Sequence, residues 1–316
     1  MKHLVIINPI SFRKNNDMAS VIRDIKAYFD SNASDYLIYI SRYPRDAIGV
    51  VNEYVSESKE GVRVYSLGGD GILYDCLNGM AGLPNADLAV MPYGTSTDFV
   101  RAFGENNQSL FRNIEKQATA RTIPTDLMKI GNRCALGFCC IGVEASIIFK
   151  YREFSRNSPT FSKLLGDNAY LTGIPFVLLD KKLVYQNYEF RIDDKVYDGR
   201  YIGINIANAP CYGGNKVPFP TAYPTDGYID VTMISGNVNL PLFASIGDYL
   251  NGKQHKHPKI FKCIRAKKIS VSSDDPLHIT VDGEPYFDSK IEVEVLPAAI
   301  QIAAPGGVFY ERRKSV

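Results

Sequence analysis

Two stretches of the 316-residue chain join glycines, hydroxyls and single acids just after apolar runs. In "SLGGDGILYDCLNG" (66 to 79), Gly68, Gly69 and Gly71 surround Asp70; in "VMPYGTSTDFVRAFG" (90 to 104), Gly94 precedes hydroxyls on Thr95, Ser96 and Thr97, and then Asp98. Glycines can take backbone angles closed to other residues, and they leave main-chain N–H groups uncovered by Cβ atoms. A helix that starts at such a loop points its positive end at it, which is chemistry for a phosphate. A lone carboxylate repels bare phosphate, so Asp70 makes sense with a divalent cation between the two. Mg²⁺ is commonly held by one or two carboxylates together with phosphate oxygens and waters. Asp98 would serve as a helix cap or a further cation contact. "GGDG" also suits a plain strand-to-helix turn with Asp70 as its N-cap; the second loop of the same kind favours a magnesium-nucleotide seat. Neither the GxxxxGK[ST] loop nor the GxGxxG turn is present.

Both loops need strands and helices to hold them. "HLVIINP" (3 to 9), "DYLIYIS" (35 to 41), "VRVYSLGG" (62 to 69) and "DLAVMP" (87 to 92) are short apolar runs ended by Pro, Gly or Ser. Between them, 17 to 30 and 45 to 58 carry apolar residues at helical spacing. Alternating strands and helices imply βαβ units and a parallel sheet, at whose carboxyl edge both loops would emerge. This predicts an α/β nucleotide-binding domain over residues 1 to 123. Beyond Pro124 the texture changes to alternating strands with Asp, Gly and Ser turns, among them "YEFRIDDKVYDGRYIGINIA", "YIDVTMIS", "KISVSS", "LHITVDGEPYF" and "KIEVEVL". These predict a mainly antiparallel β-sandwich domain over 124 to 298, with helices near 160 to 180 and 239 to 251. The pattern alone leaves open whether the last segment completes the second domain or returns to the first.

Composition narrows the function classes. A formal charge of +2, with 45% apolar and 22% charged residues, describes a globular chain and gives a nucleic-acid role no support. The opening "KHLVIINP" lacks the apolar core of a secretory leader, and no apolar run approaches a membrane span. The six cysteines show neither CxxC nor zinc spacing and read as reduced thiols, which sets a cytoplasmic expectation. His255 and His257, two apart beside Pro258, suit an exposed segment more than a metal site.

With both loops in hand, the chain resembles the bacterial diacylglycerol kinase family, soluble lipid kinases that share a superfamily with sphingosine kinases and NAD kinases. The matching text is "GGDGILYDCLNG" and "PYGTSTDFVRAFG", joined by "INPIS" near the start, "GFCCIGVEA" (137 to 145), "YPTDGYIDV" (223 to 231) and "ITVDGEPY" (279 to 286). The resemblance implies transfer of the γ-phosphate of ATP, with Mg²⁺, to a lipid hydroxyl, in a cleft between the two domains, with about 299 to 316 returning to the first. It implies that Gly68, Gly69, Asp70 and Gly71 cradle the nucleotide and its metal, that Gly94, Thr95 and Asp98 complete that wall, and that Asn8, Ser11 and Arg13 approach from the first strand. Glu284 or Asp282 would take the proton of the lipid hydroxyl. The hairpin reading of "VDGE" needs no such role. Asp226 would hold a second, structural Mg²⁺, although the acid expected before it is Thr225.

Three positions depart from the family pattern. Ile72 replaces a Thr, Thr97 replaces an Asn, and Phe12 stands where a Gly follows Ser11. These keep two alternatives open: a catalytically lapsed nucleotide- or lipid-binding protein of the same fold, and a small-molecule kinase such as an NAD kinase. A lipid substrate requires visits to a membrane surface. "GKQHKHPKIFKCIRAKK" (252 to 268), with seven Lys or Arg and no acid, could attract anionic headgroups or simply guard a strand edge. The apolar surplus of 161 to 182 could line an acyl pocket or be core. Which lipid is used is not encoded in these motifs, and a homodimer is compatible with them.

Overall fold

The computed structural model describes residues 1–12, 17–94, 97–157, 188–197, 201–214, 216–236 and 240–313. The helix expected near 160 to 180 lies outside them. The chain divides into two compact units. One comprises Met1–Leu127 with Pro297–Glu311, the other Met128–Leu296 with Arg312–Val316.

In the first unit the apolar runs become strands β1 (Lys2–Ile7), β2 (Tyr36–Ile40), β3 (Val62–Gly68) and β4 (Ala86–Pro92). Between them run helices α1 (Met18–Ser31), α2 (Asp46–Glu57) and α3 (Asp70–Met80). All pairings are parallel, β1 lying between β2 and β3, and β4 beyond β3. Leu4 to Ile7, Val64, Leu67, Leu88 and Met91 are fully buried, as a parallel sheet covered on both faces requires. Two short helices follow, α4 (Gln108–Phe111) and α5 (Ile114–Ala118), and the unit is completed late in the sequence, where Gln301 and Ile302 pair in parallel with Asp87 and Leu88 of β4. The strand order therefore reverses at β1: the chain steps from β1 to β2 on one side, then crosses to β3 on the other. Open α/β sheets bind ligands at the carboxyl end of such a switch point. Arg63 of β3 is buried against Asp87, at 2.6 and 2.9 Å, and its Nη1 donates to the Gln117 and Ala118 carbonyls of α5, which ties that helix to the sheet.

The second unit is mainly antiparallel. It is built on β7 (Phe138–Gly142), β8 (Glu189–Ile192), β9 (Lys195–Tyr197), β10 (Tyr201–Ala207), β11 (Ile229–Ser235), β12 (Phe261–Ala266), β13 (Lys268–Val281) and the first part of β14 (Glu284–Ala304). The main ladder runs β12, β11, β10, β7, β13, β14, with β8 added on β13 and β9 on β8. Two earlier strands, β5 (Arg121–Ile130) and β6 (Arg133–Ala135), pair with each other. β5 and β14 each run across the residue at which the units are divided. Helix α6 (Val143–Asn157) starts directly after β7, and α7 (Leu240–Leu250) matches the helix expected at 239 to 251. Val143, Ile202, Ile234, Leu242, Tyr249 and Phe261 form the core beneath these two helices. None of the described helices is long and apolar enough to cross a membrane.

Candidate active site

At the switch point three chain segments meet. The amide of Asn8 donates to the Leu67 carbonyl at 3.0 Å, fixing the exit of β1 beside that of β3. The Asn8 side chain accepts from the Ile10 amide at 3.0 Å and shapes the 3-10 turn Pro9–Phe12. Ser11 lies over Gly68: a Cβ there would sit 3.0 Å from the Ser11 hydroxyl and 3.2 Å from the Asn8 Cβ. The second loop closes from the other side. The Tyr93 amide and the Thr97 hydroxyl both donate to the Gly68 carbonyl at 3.1 Å, and the Asp98 amide donates to Asp70 Oδ1 at 3.1 Å. The two glycine loops are thus hydrogen-bonded to each other, and Asn8, Ser11, Gly68, Gly69, Asp70, Gly94 and Asp98 are gathered at one sheet edge. Arg13 and Thr95 lie outside the described residues.

Several local expectations change here. Among the loop glycines, the need is for close approach: Gly68 and Gly94 are absent from the left-handed region, and a Cβ on Gly94 would stand 2.4 Å from both Cα and N of Gly69. Only a residue without a side chain lets the two main chains touch. The helix cap is Gly69, so Asp70 is the first residue of α3 and not its N-cap. Asp98 opens a 3-10 helix, Asp98–Phe103, with Arg101 Nε 3.6 Å from its carboxylate.

The three departures are occupied by packing. Ile72 is buried, and its Cγ2 would lie 2.6 Å from a Cβ on Gly68. The Phe12 ring stacks on Tyr93 at 5.0 Å. Thr97 spends its hydroxyl on the Gly68 carbonyl.

In the second unit, Asp282 and Gly283 form the two-residue turn between β13 and β14, with φ of 45° and 80°, so "VDGE" is a hairpin. Asp282 is corrected as a proton acceptor. Its Oδ1 takes the amides of Gly137 at 3.0 Å and Phe138 at 2.8 Å, and its Oδ2 takes that of Leu136 at 3.0 Å. Lone pairs turned to three N–H donors clamp a loop. They are poorly placed to take a proton from a substrate. Glu284 instead meets a guanidinium fork, with Arg152 Nη1 and Nη2 each 3.2 Å from one carboxylate oxygen, while Nη2 also donates to the Gly283 carbonyl. Asp226 likewise faces a guanidinium, with Arg265 Nη2 2.5 Å from its carboxylate.

Sequence reasoning passed over a half-buried acid that gathers three donors. Glu144, at the start of α6, accepts from the hydroxyls of Tyr212 and Tyr249 and from the Asn205 amide. Burial pushes its carboxyl above the ordinary range, and the three donors pull it partly back. The available signal was a single acid inside the small and apolar run "GFCCIGVEA". The basic stretch forms edge strand β12 and its flanks. His257 and Lys256 face Asp248 at 2.9 and 3.6 Å, Lys268 faces Glu292 at 2.6 Å, and Lys262 lies over the Tyr197 ring. All six cysteines are free thiols, four of them buried.

Residues 2–130 match the diacylglycerol kinase catalytic domain, and residues 178–304 match the YegS C-terminal NAD kinase beta sandwich-like domain. The chain thus carries a diacylglycerol kinase catalytic domain followed by a YegS-type C-terminal domain. It is 27% identical over 245 residues to a Staphylococcus aureus (strain Mu3) protein named "Putative lipid kinase", covering 76% of each chain. Among solved structures, a diacylglycerol kinase from Bacillus anthracis str. Sterne superposes over 98% of each chain with a TM-score of 0.69 at 20% identity. A second from the same organism, described as a "putative diacylglycerol kinase", does so with a TM-score of 0.73 at 22% identity. The chain is accordingly an enzyme of the phosphotransferase class, with an α/β domain followed by a β-sandwich domain.

Proposed function

We propose that the chain transfers the γ-phosphate of ATP to the hydroxyl of a lipid alcohol such as diacylglycerol, using Mg²⁺. The observation that carries this reading is the contact between the two glycine loops at the β1/β3 switch point, where the main chains of Gly69 and Gly94 touch and an 11-residue helix begins. Phosphoryl transfer asks a protein chiefly for positioning and charge neutralisation. Gly68, Gly69, Gly71 and Gly94 would cradle the phosphates, with Asn8, Ser11, Arg13, Thr95 and Asp98 around them.

The donor set suits a cation shared with substrate. Among the described residues no three His, Cys, Asp or Glu gather to hold a metal unaided. A cation at Asp70 would therefore draw its other ligands from phosphate oxygens and water. When bound, Mg²⁺ supplies positive charge to the transferring phosphate. Glu284 would take the proton of the attacking hydroxyl, and Arg152 would hold its carboxylate in place. The apolar texture of the family's substrate and the basic flanks of β12 support approach to an anionic membrane surface.

The test is purified protein with labelled ATP, Mg²⁺ and a panel of lipids in mixed micelles. Asp70→Asn is expected to lower turnover by about 10²-fold or more. Glu284→Gln is expected to abolish turnover while nucleotide affinity stays within about twofold. Unchanged turnover would remove Glu284 from the base role. Nucleotide binding by calorimetry with no phosphorylated product on any lipid would favour the lapsed reading.

A further inference from the structure

The family resemblance assigns a structural divalent cation to the "YPTDGYIDV" turn, and the side chains there do not fit one. β11 and β12 pair so that Asp230 stands directly opposite Arg265. That register places Arg265 Nε 3.4 Å from Asp230 Oδ1, and its Nη2 reaches Asp226. The remaining oxygens are also engaged: Asp226 Oδ1 accepts the Tyr228 amide at 3.1 Å, and Asp230 Oδ2 accepts the Thr221 hydroxyl. The guanidinium carbon lies 4.5 Å from the centre of the Tyr228 ring, which adds a cation–π contact on its flat face. Thr225 supplies no charge, and no third acid, His or Cys joins the two carboxylates among the described residues. A divalent ion needs several oxygens arranged around one point. Here both acids already face a cation fixed to the neighbouring strand.

We propose that Arg265 is the built-in counter-ion of this turn: it fastens residues 221 to 230 to edge strand β12 in place of a divalent metal, so that the second unit folds without one. Arginine suits the task because its planar fork serves two carboxylates at once and its charge is permanent. Lysine would offer a point charge and lose the fork.

The experiment melts the full chain without nucleotide, in EDTA and in Ca²⁺ or Mg²⁺. It compares wild type with Arg265→Met, Arg265→Lys, Asp226→Asn and the Arg265→Met/Asp226→Asn double variant. Wild type is expected to melt within about 1 °C in the two media, and Arg265→Met about 2–4 °C lower in EDTA. Part of that loss should return with Ca²⁺, because two carboxylates without a counter-ion become a weak cation site. The return should vanish in the double variant. Arg265→Lys should melt between the two and gain nothing from metal; a gain equal to that of Arg265→Met would overturn the claim that charge excludes the ion. An Arg265→Met protein that melts like wild type would overturn the proposal outright. If Arg265→Met does not fold, Tb³⁺ titration of wild type against Asp226→Asn decides. Equal tyrosine-sensitised emission upholds the proposal, and emission that depends on Asp226 overturns it.

Discussion

The glycine-loop edge of the first unit and the polar centres of the second hold their geometry by different means. At the loops, main-chain amides and one threonine hydroxyl meet a carbonyl and a single carboxylate, and two backbones touch with no room for a methyl group. In the second unit each of three carboxylates is met by its own set of donors: three amides for Asp282, a guanidinium for Glu284, and two hydroxyls and an amide for Glu144. The first arrangement is set by volume and the second by charge and protonation. The first should therefore fail on a small steric change, the second on a loss of charge or a change of pH.

The sharpest break is Gly94→Ala. Its Cβ would stand 2.4 Å from the Gly69 main chain, so the loops must separate. We expect turnover to fall by about 10²-fold or more, the scale of losing preorganised donors. Thermal melting should change far less than activity. Turnover within about twofold of wild type would show that the loop contact is dispensable.

The counterpart in the second unit is Asp282→Ala, which leaves three loop amides without their acceptor. A loss on the order of 3 kcal/mol is expected in urea unfolding, with Asp282→Asn losing less because one oxygen remains. An Asp282→Ala protein as stable as wild type would remove the clamp role.

A smaller effect separates the units by pH. His3 is buried between Phe29 and Tyr65, with Nδ1 2.9 Å from the Tyr65 hydroxyl, and burial lowers its pKa from 6.5 to about 4. The folded-state value is below the unfolded one. The stability carried by neutral His3 is therefore complete above pH 6.5 and is lost as pH falls toward about 4. Two to three kcal/mol is the rough size of that loss. His3→Phe should flatten the dependence, which urea midpoints at pH 7 and pH 4.5 would check.

Much of this was legible in the sequence, for reasons that can be located. The parallel strands announce themselves because burial on both faces demands unbroken apolar runs such as "HLVII" and "LAVM". The loops announce themselves because close main-chain approach leaves glycine as the only residue that fits. What stayed hidden depends on register and partner. The Arg265 and Asp230 pairing exists only because β11 and β12 align those positions, and a lysine-rich run that reads as a headgroup patch or a guarded strand edge does not show which strand it pairs with. The proton-acceptor role of Asp282 came from the resemblance alone, and only the fold brings the three amides of 136 to 138 to its carboxylate. Glu144 is one acid in an apolar run, and its donors come from a strand, a loop and helix α7, 61 to 105 residues away.

Glu144 also supplies the mildest test of the difference between the units. Its pKa is raised, chiefly by burial, so its sign is opposite to that of His3. The raised value means that its contribution to stability is complete below the unfolded value of 4.5 and fades as pH rises through the folded-state value. Glu144→Gln removes the titration but also turns an amide toward Asn205, which adds a penalty that does not vary with pH. The absolute stability of the variant therefore mixes two effects, and the slope isolates one. The difference between wild type and Glu144→Gln should shift in favour of the variant as pH rises above 4.5, and level off once the folded-state carboxyl has ionised. A difference that stays flat across this window would mean that the three donors offset the burial of the charge in full. Glu144 would then hold its loop by hydrogen bonds alone, and the second unit would owe less to protonation than its carboxylates imply.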